Sequence, residues 1–437
     1  MQVDKTTQND LSIFSADENQ SIFHLLNCTQ TNQGRDFLYQ ILNNPLQSLE
    51  AIKDTQITIQ QLQQLTQQWP NTITNGTLMV IEKFYETPIN NYPSRAGIVD
   101  AFIYKTFNSV DYSLTKYSVT HIINFIQGLH KIKILLQNKS SNLLTFWFNK
   151  IELLLNKPIV LNILEHTNSH KLKPFEIIQY AHFFRNHFKH ECKELIELYS
   201  KLDAYQSLAI ACTKYNFTFP QIQHSQHPFI DVQDLYHPLL QQPIGYTVSL
   251  NKDQNFLFLT GANMAGKSTF IKTIGVSVYL AHLGIGVPAK NMNLSFFDGL
   301  LSNIHVMDNI LKGESYFFNE VQRIKSTVEK ISNKKNWLIL IDELFKGTNV
   351  QDAMKCSSTV IEGLHKMQNA LFVLSTHLYE IADDLKKHKN IQFKYFETEV
   401  LDDQLIFSYH LKDGISNDRL GYLILKKEGV IDLLNEL

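Results

Sequence analysis

Glycine and proline are scarce in this 437-residue chain, with 17 and 11 residues, and tryptophan occurs three times. So few turn formers predict few loops and long helices. The four cysteines, Cys28, Cys192, Cys212 and Cys356, stand far apart. No C-x-x-C pair or metal-ligand spacing occurs, so they read as thiols of a reducing compartment. Arginine is rare (Arg35, Arg95, Arg185, Arg323 and Arg419), and the net charge is −2. Bulk charge therefore leaves no nucleic-acid footprint, although lysines can contact phosphates. The first residues, MQVDKTTQNDLSIF, lack the basic-then-apolar pattern of a secretory leader. No uncharged apolar run reaches the roughly 18 residues of a membrane span. A cytoplasmic protein without a membrane role is expected.

Hydrophobic residues make up 44% of the chain, enough for two or three domains. Residues 1–20 are polar and read as loosely ordered. Phe37, Leu38, Ile41 and Leu42 share one face of a predicted helix over 31–42, stopped at Asn43-Asn44-Pro45. The Gln-rich stretch 48–68 keeps an apolar stripe of Ile57, Leu62 and Leu65, so a solvated helix is favoured over disorder. Further helices are predicted near 74–86, 118–137 and 143–155. Residues 174–213 read as one helix about 60 Å long. Its seam runs through Ala181, Phe184, Phe188, Leu195, Leu198, Leu202, Tyr205, Ala209 and Cys212. Pattern alone leaves a lever and a plain bundle helix equally open.

Pro220 and the polar run 221–226 mark a boundary, giving a helical domain over 1–225 and an α/β domain over 226–437. Beyond it stand short apolar runs, Phe256–Leu259, Leu338–Ile341 and Leu371–Leu374, as expected of strands buried in a mostly parallel sheet. Gly261-Ala262-Asn263-Met264-Ala265-Gly266-Lys267-Ser268 follows the first run and fits G-x-x-x-x-G-K-[ST]. Such a loop wraps a β-phosphate with backbone N–H groups at a helix N-terminus. Lys267 is expected on the β- and γ-phosphates, and Ser268 on Mg²⁺. The second run ends in Asp342-Glu343. One carboxylate can hold Mg²⁺ through water, and the next can take a proton from attacking water. The third ends in Ser375-Thr376-His377, where His377 can sense the γ-phosphate; by itself it reads as an ordinary loop histidine.

The loop Thr260–Thr269, T-G-A-N-M-A-G-K-S-T, resembles that of the MutS family, which carries the same uncommon Asn-Met pair. Tyr236-His237-Pro238-Leu239 resembles that family's entry to its ATPase domain. Residues 313–320, with Ser315 and Glu320, resemble its signature segment. Asp342–Asn349, Thr376-His377, Asp413–Ser416 and Leu420-Gly421 follow in the family's order. More weakly, Thr6–Phe14, Leu25–Asn27 with Thr31, Gly34 and Arg35, and Leu202–Ala209 resemble the two ends of its core or lever domain.

The resemblance implies an α-helical lever followed by an ABC-type P-loop ATPase domain. It implies ATP and Mg²⁺ as cofactors, with Gly261–Thr269 and Ser315 binding nucleotide and Ser268 and Asp342 binding metal. Glu343, His377 and Lys267 would be catalytic. It also implies a homodimer through the ATPase domains, in which Ser315 completes the partner's site. DNA and a repair protein are the implied partners. The match starts at the lever, so the mismatch-recognition and connector domains are expected to be absent. Asn303, Tyr316, Ala262, Phe345 and Lys346 stand where the family has Arg, Thr, Pro, Gly and Arg. An ATP-driven switch that binds protein and not DNA fits the same residues. So would a scaffold without turnover, although intact Lys267, Ser268, Asp342 and Glu343 argue against it.

Overall fold

The computed structural model describes all residues except 16, 18–19, 88–96, 167–170, 305–315, 402–403, 417–429 and 436–437. They form two compact units. One comprises Met1–Leu25, Asn44–Lys53 and Tyr215–Leu437, the other Leu26–Asn43 and Asp54–Lys214. These units are not the contiguous halves set by a boundary at 225/226. No helix among the described residues is long and apolar enough to cross a membrane.

The α/β unit is built on a seven-stranded sheet. In chain order its strands are β1 (Gln2–Val3), β5 (Phe256–Thr260), β7 (Gly299–Asn303), β8 (Trp337–Asp342), β9 (Ala370–Ser375), β10 (Ile391–Leu401) and β11 (Gln404–Asp413). The spatial order is β1-β7-β8-β9-β5-β10-β11. Every pairing is parallel except β10 with β11. A second sheet, ordered β2-β6-β3-β4, uses Gln221–Gln223, Asn291–Ser295, Ile230–Leu235 and Tyr246–Leu250. The three apolar runs predicted as strands lie in β5, β8 and β9, every residue of which is buried. Helices on both faces leave no polar side, which is why these runs do not alternate.

Within residues 1–20, the stretch 2–13 corrects the expectation of loose order. Gln2 and Val3 pair with Gly299 and Leu300, and Lys5–Asp10 is helical. Leu11 and Ile13 are fully buried. Thr7 accepts from the Ser302 amide, and Asp10 accepts from the Ser302 hydroxyl and the Ile304 amide. These partners lie nearly 300 residues away, so no local signal could announce them.

The second unit is helical. Helices form over Asn32–Asn43, Asn75–Glu86, Ser109–Leu136 and Asn142–Leu155, near the expected positions, and over Ile98–Phe107 and Pro158–His166, which were not predicted. The Gln-rich stretch forms the helix Leu49–Gln63 and a 3-10 turn at Thr66–Gln68. The single 60 Å helix does not form. Pro174–His187 and Lys189–Lys214 are separate helices, divided at Phe188 (φ −132°, ψ 6°). The Phe188 ring is fully buried against Phe183 and Phe184, so core packing wins over helix continuity.

Two distant motifs meet in this unit. The Asp203 carboxylate accepts from the amides of Gln30 and Thr31 at 2.9 Å and from the Thr31 hydroxyl at 2.6 Å. Ser207 donates to the Leu26 carbonyl and accepts from the Cys28 amide, both at 2.7 Å. Gly34 is required here, because a Cβ would stand 2.2 Å from Asp203 Oδ2. Asp203→Ala is expected to cost about 2 kcal/mol, since buried donors lose their acceptor. A denaturant midpoint equal to wild type at unchanged slope would show that the network contributes nothing.

Candidate nucleotide site

The site gathers at the C-terminal ends of β5, β8 and β9, which neighbour one another in the sheet. After β5 the chain turns through Gly261 (φ +139°) and Gly266 (φ +104°), conformations that favour glycine. A Cβ on Gly261 would also meet Phe396 at 3.3 Å. Met264 (φ +68°) is left-handed too, and exposed. Gly266 precedes the helix Lys267–His282, whose first-turn amides have no acceptor within the helix. The predicted helix start is thus met.

Lys267 is 5% exposed. Its ammonium donates to the carbonyls of Gly261 at 2.8 Å and Ala262 at 2.9 Å. Burial lowers its pKa to about 8, against the pull of Glu343 and Asp342. Asp342, the last residue of β8, accepts from the Ser375 hydroxyl at the end of β9. Glu343 follows in left-handed backbone (φ +63°), with its amide on the Ser375 carbonyl at 3.0 Å.

Both carboxylate oxygens of Glu343 are engaged. Oε1 lies 2.9 Å from His377 Nε2, and Oε2 lies 3.2 Å from Lys346 Nζ. Burial pushes this carboxyl up, but the His377 hydrogen bond and Lys346 outweigh it and hold it at about 2. His377 Nε2 also stands 3.3 Å from Lys267 Nζ. One ring nitrogen cannot both donate to Glu343 and accept from Lys267. Lys267 already has two carbonyl acceptors, so the shorter contact assigns the proton to Nε2. The structure thus brings Lys267, Asp342, Glu343 and His377 together. Ser315 lies outside the described residues, as do Leu420 and Gly421.

Beside the loop is a cavity of about 480 Å³ lined by Asn263, Met264, Gly266, Lys267, Ser268, Thr269, Glu343 and His377. Its remaining wall, Leu240, Gln242, Ile244, Tyr246 and Tyr409, was not foreseen from sequence. Leu240 closely follows the Tyr236–Leu239 motif, a usable signal. Tyr409 gives none: it sits in β11 with φ +54°, aimed by an irregular β10–β11 pairing. Tyr246 is held edge-on by Phe270 and Phe396.

Two departures acquire physical content. Phe345 (φ +58°) takes a left-handed conformation that glycine adopts freely, and its buried ring packs on Phe317 at 5.7 Å. Asn303 accepts from the Arg323 guanidinium, which also reaches the Ser302 carbonyl. Asp413–Ser416 touches the strand that leads into the loop, where the Ser416 amide donates to Thr260 Oγ1 at 2.9 Å.

Residues 257–432 match the family model described as MutS domain V. The chain is 28% identical over 254 residues to the DNA mismatch repair protein MutS of Oceanobacillus iheyensis, covering 56% of this chain and 28% of that protein. Identity to the Geobacillus sp. MutS is 29% over 238 residues, and to the Clostridium novyi MutS 29% over 247. The matches cover 52% and 54% of this chain and 27% of each relative. The matched stretch thus spans under a third of these relatives' length. Through the MutS domain V in its C-terminal half, the chain is related to the MutS proteins.

Proposed function

We propose that this protein binds and hydrolyses ATP with Mg²⁺ in an ABC-type P-loop site and couples turnover to DNA binding, in mismatch repair or the control of recombination. The observation that carries the reading is the convergence of Lys267, Asp342, Glu343 and His377 beside a glycine-turned loop and a nucleotide-sized cavity. Gly261–Thr269 would cradle the phosphates, with Lys267 on the β- and γ-oxygens. The wall containing Tyr246 and Tyr409 offers the base an aromatic surface.

Ser268 and the Asp342 carboxylate are hard oxygen donors. Among the described residues no group of three or more His, Cys, Asp or Glu could hold an ion alone. That donor set suits Mg²⁺, which keeps water and phosphate oxygens as further ligands and neutralises their charge. Glu343 takes the proton of the attacking water. The water oxygen bonds to the γ-phosphorus, the bond to the β–γ bridging oxygen breaks, and ADP and phosphate leave. In this reading the helical unit, Leu26–Asn43 with Asp54–Lys214, serves as lever and the α/β unit as motor. Two motors would pair, with Ser315 of each completing the other's site. DNA is the favoured partner because the relatives are named for DNA mismatch repair.

Phe14 and Phe23 pack on each other at 6.0 Å, which supports a packing role for them over a mismatch wedge. Binding to homoduplex, mismatched and branched DNA, with and without ATP, is expected to fall steeply with salt. Any mismatch preference should stay under roughly tenfold, about 1.4 kcal/mol. Absence of binding to all three, with ATPase intact, would instead support a protein-binding switch.

A further inference from the structure

The turn after Glu343 is fastened to a single helix, Tyr316–Ile331, by two side chains one turn apart. The Glu320 carboxylate accepts from the amides of Lys346 at 3.2 Å and Gly347 at 3.3 Å. Phe317 packs on the buried Phe345 ring. Glu320 is 5% exposed, and burial raises its pKa against those two amides, so it is an internal strut. With left-handed backbone at Glu343 and Phe345, the turn folds back on itself. That reversal sets the Lys346 ammonium on Glu343, three residues earlier.

We infer that Lys346 is a positioning residue that restrains Glu343, and that the helix Tyr316–Ile331, acting through Glu320, sets how firmly it does so. The inference rests on the reading of Glu343 as the hydrolytic base. A base needs a lone pair facing the water. His377 and Lys346 occupy one oxygen each, so the ammonium competes with the water for Oε2. With Lys346 withdrawn, Oε2 is free to receive the proton as the water oxygen bonds to the γ-phosphorus and ADP leaves. Displacement of the helix start draws the Lys346 backbone with it, because Glu320 grips two consecutive amides.

The test compares steady-state ATP hydrolysis by wild type, Lys346→Met, Lys346→Arg and Glu343→Gln in the full chain with Mg²⁺. Lys346→Met is expected to raise kcat at least threefold with KM changed less than twofold, and Lys346→Arg to keep the wild-type kcat. Circular dichroism melting checks that all variants fold. An unchanged or lower kcat in folded Lys346→Met, with wild-type hydrolysis that Glu343→Gln abolishes, overturns the restraint alone. Wild-type hydrolysis that persists in Glu343→Gln, or its absence in wild type, overturns both the restraint and the assignment of the base.

Discussion

Glu343→Ala is expected to bind ATP and to lose turnover by about a thousandfold, roughly 4 kcal/mol in the barrier. Binding should survive because the proposed roles separate Glu343, on the reacting water, from the loop and Lys267, on the phosphates. Two features of the fold favour Glu343 over Asp342 as the proposed base. Asp342 ends β8 and is fixed by Ser375. Glu343 lies one residue beyond, turned by its left-handed backbone into the cavity wall. The substitution also removes the acceptor of His377, leaving a donor on the cavity wall. Nucleotide should therefore be held at least as tightly as in wild type. Equilibrium binding of a fluorescent ATP analogue and phosphate release measure the two quantities separately. Turnover within threefold of wild type would remove Glu343 from the role of base.

Lys267→Ala should weaken ATP binding by at least about a hundredfold, near 2.7 kcal/mol, as charge-assisted contacts to two phosphates vanish. A sharper signature lies in pH. Burial brings the free protein's ammonium to about 8. Below pH 7 the group is charged and ready; above pH 8 it is increasingly neutral. Phosphate oxygens favour the charged form, so binding above pH 8 must take up a proton. Affinity should then fall about tenfold per pH unit, from pH 8 up to the pKa of the bound state. Calorimetry at pH 8.5 in buffers of different ionisation enthalpy reads that proton directly. Lys267→Ala should show neither the uptake nor the slope. A wild-type affinity flat from pH 7 to 9.5 would mean that Lys267 keeps its proton unaided.

These residues were legible because their chemistry is local. Lys267 and Ser268 announce themselves within an eight-residue loop, and Asp342-Glu343 and His377 each follow an apolar run that reads as a buried strand. Mutual arrangement was legible only in part. Phe188 fits the heptad seam yet breaks the helix, because ring packing is invisible to periodicity. Lys346 reads as a neighbour of Glu343 in sequence, but its grip depends on two left-handed residues and a carboxylate from another helix. Tyr409 reaches the cavity through a strand irregularity with no sequence mark. Residues 1–20 read as polar and loosely ordered because partners of Gln2, Val3 and Thr7 lie in β7, far along the chain.

That last arrangement has a consequence for synthesis. β1 is synthesised before its partner β7, which follows almost 300 residues later. At translation speeds on the order of 5–20 residues per second, Gln2 and Val3 wait roughly 15–60 s for Gly299 and Leu300. Leu26–Asn43 and Asp54–Lys214 are all available before then, so the helical unit completes first. Leu11 and Ile13 meanwhile stand uncovered. During that interval the nascent chain carries an uncovered apolar segment, and a chaperone that held it would compete directly with assembly of the α/β sheet.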